Sequence, residues 1–152
     1  MGLEEVKEIL KEHVLDKNIY VFEESTATVS LAAKALGCDD DEIAKSMAFK
    51  LQDKTIMIIT KGTARIDNRK FKDTFHCKAK MLSSQELIED IGHPPGGVCP
   101  FAVKSEVDIY LDETLKSFDT VYPAAGTPNS AVKISVDKLK EITHGIWIDI
   151  CK

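Results

Sequence analysis

A chain of 152 residues that is 43% hydrophobic is long enough for one domain with a substantial core, spanning 1–152, and its formal charge of −5 argues against indiscriminate nucleic-acid binding. No apolar run approaches the ~20 residues that cross a bilayer, and the N-terminus, Met1-Gly2-Leu3-Glu4-Glu5-Val6-Lys7, lacks the basic start and apolar stretch of a signal peptide. The cysteines Cys38, Cys77, Cys99 and Cys151 are scattered, with no C-x-x-C pair, which favours free thiols in a reducing cytoplasm over a disulfide scaffold or a metal site.

Leu3, Val6, Ile9, Leu10 and Val14 recur at helical spacing, predicting an amphipathic helix over 2–15. Ile19-Tyr20-Val21-Phe22 reads as a short strand. An Ala-rich helix runs from about Thr28 to Leu36, with Gly37 placed to end it. The acids Asp39 to Glu42 open a helical turn, where the dipole favours them. Ser46 to Leu51 and Thr55 to Thr60, joined by Gln52-Asp53-Lys54, predict an antiparallel hairpin. A short basic helix is expected over 68–75. The spacing of Ser83 and Glu86 makes a capping box, opening a helix that Gly92 closes. Strands follow at 107–111, 120–124, 132–134 and 146–150, with a helix at 137–143. Short strands interspersed with helices, without regular alternation, predict an α+β domain with a mixed, mostly antiparallel, barrel-like sheet surrounded by helices.

Three features carry chemistry. Residues 61–80 hold seven basic side chains against Asp67 and Asp73, a local excess of positive charge able to meet a polyanion. Lys45 opens an apolar strand next to Ser46, a cation beside a short hydroxyl that can donate and accept. Gly92-His93-Pro94-Pro95-Gly96-Gly97-Val98-Cys99-Pro100-Phe101-Ala102 is stiff at its prolines and bare at its glycines, so backbone N–H groups at Gly96-Gly97-Val98 could meet an ester oxygen or a phosphate.

Taken in order, Leu36-Gly37, Ile43-Ala44-Lys45-Ser46, Gly96-Gly97-Val98-Cys99-Pro100 with Phe101 behind it, and Ala125-Gly126 resemble the YbaK/EbsC family of aminoacyl-tRNA deacylases. That family is related to the editing domain inserted in bacterial prolyl-tRNA synthetases, and the match covers nearly the whole chain. The resemblance implies hydrolysis of the ester joining a mischarged amino acid to the tRNA 3′ end, by water or a group of the substrate, with no metal or organic cofactor. It implies catalytic roles for Lys45, Gly96, Gly97 and Val98. It implies substrate contacts from Ser46, Thr28, Cys99, Pro100, Phe101, Gly126, Asn129 and Ser130. Arg69, Lys70 and Lys72 are expected to bind the tRNA. The partners it implies are the aminoacyl-tRNA acceptor end and an aminoacyl-tRNA synthetase, with no membrane or DNA. Two other readings compete. One is a non-catalytic module that binds a tRNA end, a nucleotide or a synthetase. The other is a thiol mechanism with Cys99 as nucleophile and His93 as base, disfavoured because they stand six positions apart along a stiff loop.

Overall fold

The computed structural model describes residues 2–152, and Met1 lies outside them. Helix α1 (Leu3–Glu12) buries Val6 and Leu10 completely; it stops short of the predicted bound because the chain turns at Val14, which has φ 59. A 3-10 turn at Asp16–Asn18, not anticipated, leads into strand β1 (Ile19–Val21). Helix α2 (Val29–Leu36) starts where Leu31 N–H donates to the Thr28 hydroxyl at 3.2 Å, and stops at a left-handed Gly37. Its small residues Ala32 and Ala33 pack on Ile43.

Strands β2 (Ile43–Lys50) and β3 (Thr55–Lys61) make the expected hairpin, with Ser46 opposite Ile59. β2 begins three residues earlier than predicted, so Lys45 lies inside the strand and not at its entrance. In β3 the run Ile56-Met57-Ile58-Ile59 is wholly buried. Met57 and Ile59 join a core with Val6, Leu10, Leu111 and Leu139, while Ile56 and Ile58 face a second core with Phe49, Phe71 and Ile150. Burial on both faces is why this segment is apolar without alternation.

Helix α3 (Asn68–Phe75) is capped by Asp67, which accepts from the N–H groups of Arg69 and Lys70, and it supplies Phe71 to the second core. The Ser83/Glu86 box closes only a single turn, α4 (Ser84–Glu86), which widens into a π-turn over Leu87–Ile91 before Gly92 ends it. The remaining elements are β4 (Asp108–Asp112), β5 (Thr120–Pro123), β6 (Ser130–Val132), β7 (Ile134–Ser135), α5 (Val136–Thr143) and β8 (Ile146–Ile148).

The main sheet has the order β7-β5-β2-β3-β4-β8, and a β1–β6 ribbon joins it through a bridge between Ala124 and Ala131. The result is α+β with a curled, mixed sheet forming a half-barrel, as expected. The long β2–β3 ladder supplies most of the antiparallel pairing, while β2–β5, β3–β4 and β4–β8 run parallel. Parallel neighbours need long crossovers, which accounts for the helices and loops between them.

One buried carboxylate ties the far edge together. Asp112, 1% exposed, accepts from Thr114 N–H at 2.9 Å and from Ile150 N–H at 2.8 Å, fixing the C-terminal stretch to the end of β4. Asp112→Ala strands a buried N–H and should lower the unfolding free energy by about 2–3 kcal/mol. Urea denaturation checks this through the midpoint, and an unchanged midpoint would remove Asp112 from the stability account.

Candidate active site

A gap in strand pairing creates the cavity. β5 pairs with β2 only at Ile43 and Ala44. Farther along, the 80–82 segment takes over the same edge: Leu82 N–H donates to Ala48 O at 3.2 Å and Lys50 N–H donates to Lys80 O at 2.8 Å. Between them, Lys45 to Met47 have no strand on that side. A strand's peptide groups alternate sides with a period of two, so those of Ser46 face the same open edge as those of Ala48. A cavity of about 230 Å³ lies there. Its wall is closed by the start of α2 at Thr28, by Gly96 and Val98 of the rigid loop, and by Tyr122 and Ser130. A second, open groove of about 840 Å³ runs along the opposite face of β2 past Lys45, Met47 and Phe49. Lys45 lines both spaces.

Among the described residues, Lys45 is the one charged side chain in the cavity wall. Its Nζ donates to Ala64 O at 2.7 Å, which fixes the ammonium and leaves two of its three donors for other partners. Partial burial holds its pKa below the ordinary lysine value, and the nearby Arg65 acts in the same direction. Hydroxyls come from Thr26, Thr28, Ser46, Tyr122 and Ser130; among the described residues the wall carries no imidazole, thiol or side-chain carboxylate. The Thr28 hydroxyl is engaged as the helix cap, and Ser130 Oγ lies 2.6 Å from Thr127 Oγ1.

The rigid loop divides its glycines between two jobs. Gly96 lines the cavity with φ 82, and a Cβ there would come within 2.8 Å of Ala27 Cβ. Gly97 stands behind the wall. A Cβ on it would meet Thr127 N at 2.7 Å, so its lack of a side chain lets two loop backbones touch. Its N–H also donates to Pro94 O at 3.0 Å, closing a turn. The expectation of three bare N–H groups is thereby corrected: Gly97's is spent, and only Gly96 and Val98 of the three lie on the wall.

Several other expected contacts lie off the cavity wall. Cys99, Pro100 and Phe101 are buried, with Cys99 and Phe101 in the main core. Gly126 abuts Gly2, and the Asn129 side chain donates to Phe22 O at 2.9 Å while accepting from Thr127 Oγ1. These residues frame the site. Cys99 and His93 do meet, Sγ to Nε2 at 3.6 Å, despite the loop between them. Yet both are fully buried, and His93 Nε2 donates to Phe101 O at 2.6 Å. Burial pushes the Cys99 thiol up to about 12 and the His93 imidazole down, so neither is primed for attack.

The comparisons with known proteins fit this geometry. The model of the aminoacyl-tRNA editing domain matches residues 23–142. The chain belongs to this family. It is 42% identical to the uncharacterized protein YwhH of Bacillus subtilis, over 100% of this chain and 98% of that one. It is also 29% identical to the proline–tRNA ligase of Bacillus subtilis over 75% of this chain, but that stretch is only 19% of the ligase. Among solved structures, the hypothetical protein APE2540 superposes with a TM-score of 0.88 at 26% identity, over 97% of this chain and 99% of that one. A structure described as a candidate trans-editing enzyme for prolyl-tRNA synthetase gives 0.90 at 24% identity, over 99% and 96%, a likeness of fold.

Within this editing-domain chain, the expected tRNA-binding residues separate. Lys70 Nζ donates to Asp149 Oδ1 at 2.9 Å and to Cys151 O at 2.8 Å, so it anchors the C-terminal stretch. Arg69 and Lys72 are exposed on α3, one turn apart. Arg65, one of the seven basic residues of the 61–80 run, lines the open groove with Lys45, as do Asn68 and Lys152, neither of them expected from the sequence. Thr26 in the cavity wall was also missed; it sits in the polar run Glu23-Glu24-Ser25-Thr26-Ala27-Thr28, where nothing in the pattern marks one residue from its neighbours. The thiol chemistry has a direct check: a small alkylating reagent should label Cys77 in the native protein well before Cys99, which should react only on unfolding. Early Cys99 labelling, read by peptide mass spectrometry, would restore the thiol mechanism.

Proposed function

We propose that this protein hydrolyses the ester of mischarged aminoacyl-tRNA, with the aminoacyl group in the small cavity and the terminal nucleotide in the open groove. The observation that carries this reading is the position of Lys45, among the described residues the sole charged side chain on the cavity wall, at a shared boundary with the groove. Its two remaining donors suit an oxyanion growing on the ester carbonyl or the phosphate beside it. A partly desolvated cation is worth more to such a charge than one in water. Among the described residues the groove is lined by three cationic side chains, Lys45, Arg65 and Lys152, against one acidic side chain, Asp40, which suits a nucleotide phosphate.

With neither thiol nor imidazole on the wall, the attacking group is water or a hydroxyl of the substrate itself. An aminoacyl ester is already activated, so orientation and charge stabilisation supply most of what is needed. Backbone N–H groups of Gly96 and Val98 are the remaining donors for the carbonyl. The tRNA phosphates continue from the groove across Arg69 and Lys72, and a synthetase that mischarges the tRNA is the natural source of substrate. A pure binding module would need none of this pairing of cation and ester-sized cavity.

The test is release of labelled amino acid from a panel of mischarged tRNAs. Lys45→Ala should lose about 2–4 kcal/mol of transition-state stabilisation, or roughly two to three decades of rate. Because burial lowers the Lys45 pKa, rate above background should fall as pH rises through a value below that of an ordinary lysine, as the needed cation is lost. Near-normal turnover by folded Lys45→Ala would sink the mechanism, and no release from any tRNA would leave a binding module.

Charge on α3 can be tested separately. Arg69→Ala with Lys72→Ala should weaken tRNA binding and reduce the slope of log affinity against log salt by roughly one to two. Lys70→Ala should instead lower stability with little change in slope. The reverse pattern would mean that the phosphates take another path.

A further inference from the structure

Upstream of β2, neighbouring acids do different jobs. Glu42 bonds back to the Asp39 N–H at 3.0 Å and closes a 3-10 turn over Asp40–Glu42. The Asp41 carboxylate instead reaches across to the bend that leaves β3. Its Oδ1 accepts from the Thr63 N–H at 3.0 Å and from the Thr63 hydroxyl, and its Oδ2 lies 3.6 Å from Lys61 Nζ. The bend itself is tight. Ala64 N–H donates to Lys61 O at 3.1 Å, and a Cβ on Gly62 would come within 1.9 Å of Asp40 O, so the two turns rest backbone on backbone. Ala64, 8% exposed, then presents the carbonyl that receives Lys45 Nζ at 2.7 Å. Lys45 stands in β2 opposite Thr60, just before the bend. The contacts therefore close on themselves, from Asp41 through Thr63 and Ala64 to Lys45 and back along the chain to Asp41.

We propose that Asp41 is a positioning residue for Lys45: by clamping the bend through Thr63, it holds the Ala64 carbonyl that aims the ammonium at the boundary of cavity and groove. The inference rests on the deacylase reading for what Lys45 does once aimed. A lysine carries a compact charge on a flexible four-carbon stem, so its place is set by whatever receives its donors. Here that acceptor sits on a bend whose Thr63 faces solvent. A carbonyl on an untied surface bend moves, and an ammonium that follows it meets a developing charge at the wrong distance. A shift of about 1 Å in a reacting group can cost up to about 100-fold in rate. Hydrogen bonds from Thr63 hold the Asp41 carboxyl below the ordinary carboxylate range, so it stays an ionised acceptor at neutral pH.

Lys45 can be watched directly, apart from any turnover. An ammonium held by a fixed carbonyl exchanges its protons with water slowly enough to give a proton–nitrogen NMR signal, assigned by its loss in Lys45→Arg. Wild-type protein should give that signal and Asp41→Ala should broaden it away. Asp41→Asn, whose amide oxygen still receives Thr63, should keep it. With mischarged tRNA, Asp41→Ala should lower kcat by about 5- to 20-fold with KM changed by less than about threefold, and Asp41→Asn should stay within about threefold of wild type. Should Asp41→Ala not fold, Thr63→Val, which removes only the hydroxyl donor, should show the same two changes in smaller measure. A carboxylate that merely stabilises the fold would lower the urea midpoint and leave the Lys45 signal and kcat unchanged, and that result would overturn the proposal. So would absence of the signal in the wild type, its equal loss in Asp41→Asn, or its loss with kcat unaltered. A signal lost in Asp41→Ala and kept in Asp41→Asn, with no ester cleaved by any of the proteins, would uphold the positioning of Lys45 and overturn the deacylase reading instead.

Discussion

Strand β3 has no solvent face, and that constraint orders the rest of the molecule. Ile56 and Ile58 must be covered on one side, Met57 and Ile59 on the other. Helices α1 and α5 with the Cys99–Phe101 stretch cover one face, and Phe71 of α3 covers the other. At roughly 1.5–3 kcal/mol for each large apolar side chain removed from water, this double burial dominates the stabilising side of folding. Surface ion pairs such as Lys54–Asp108 add little by comparison. Because β2 is locked to β3 along its whole length, its other edge is held rigidly even where nothing pairs with it.

That rigid, half-covered edge is what the family motifs decorate. The loops at 26–28, 95–98 and 126–130 converge on it in close packing. Gly97 lies against the backbone of Gly126 and Thr127, and Gly96 against the Ala27 and Pro128 side chains, so a single added Cβ would collide in either place. His93 serves the same end from within: its Nε2–H to the Phe101 carbonyl pins the far end of the loop into the core. A buried imidazole and thiol that resemble a catalytic pair are therefore structural, because desolvation outweighs their mutual contact.

The Lys45 ammonium shows the opposite balance of the same forces. It is only partly buried, with one fixed carbonyl partner, and desolvation lowers its pKa without eliminating its access to the cavity and groove. A cation poised this way interacts strongly with any anion brought beside it. Its neighbours in the wall are uncharged, so no other side-chain charge of the described residues competes with it there.

Local pattern determined much of this protein. Helical spacing marked α1, Thr28 and Gly37 bounded α2, and Asn68–Phe75 fell where the basic run predicted, because caps and periodicity act over a few residues. The ordered motifs around Lys45, Gly96 and Gly126 were legible for the same reason, each being a local backbone or charge requirement. Tertiary structure alone decided the parallel pairings of β3, β4 and β8, which join residues far apart in the chain and leave no local signature. It decided that Lys70 would be consumed by Asp149 and the Cys151 carbonyl while Arg65 and Lys152 lined the groove. It also placed Thr26 and Ser46 on the wall of one cavity and hid Cys99, for a residue's exposure and partners depend on which distant segments pack around it.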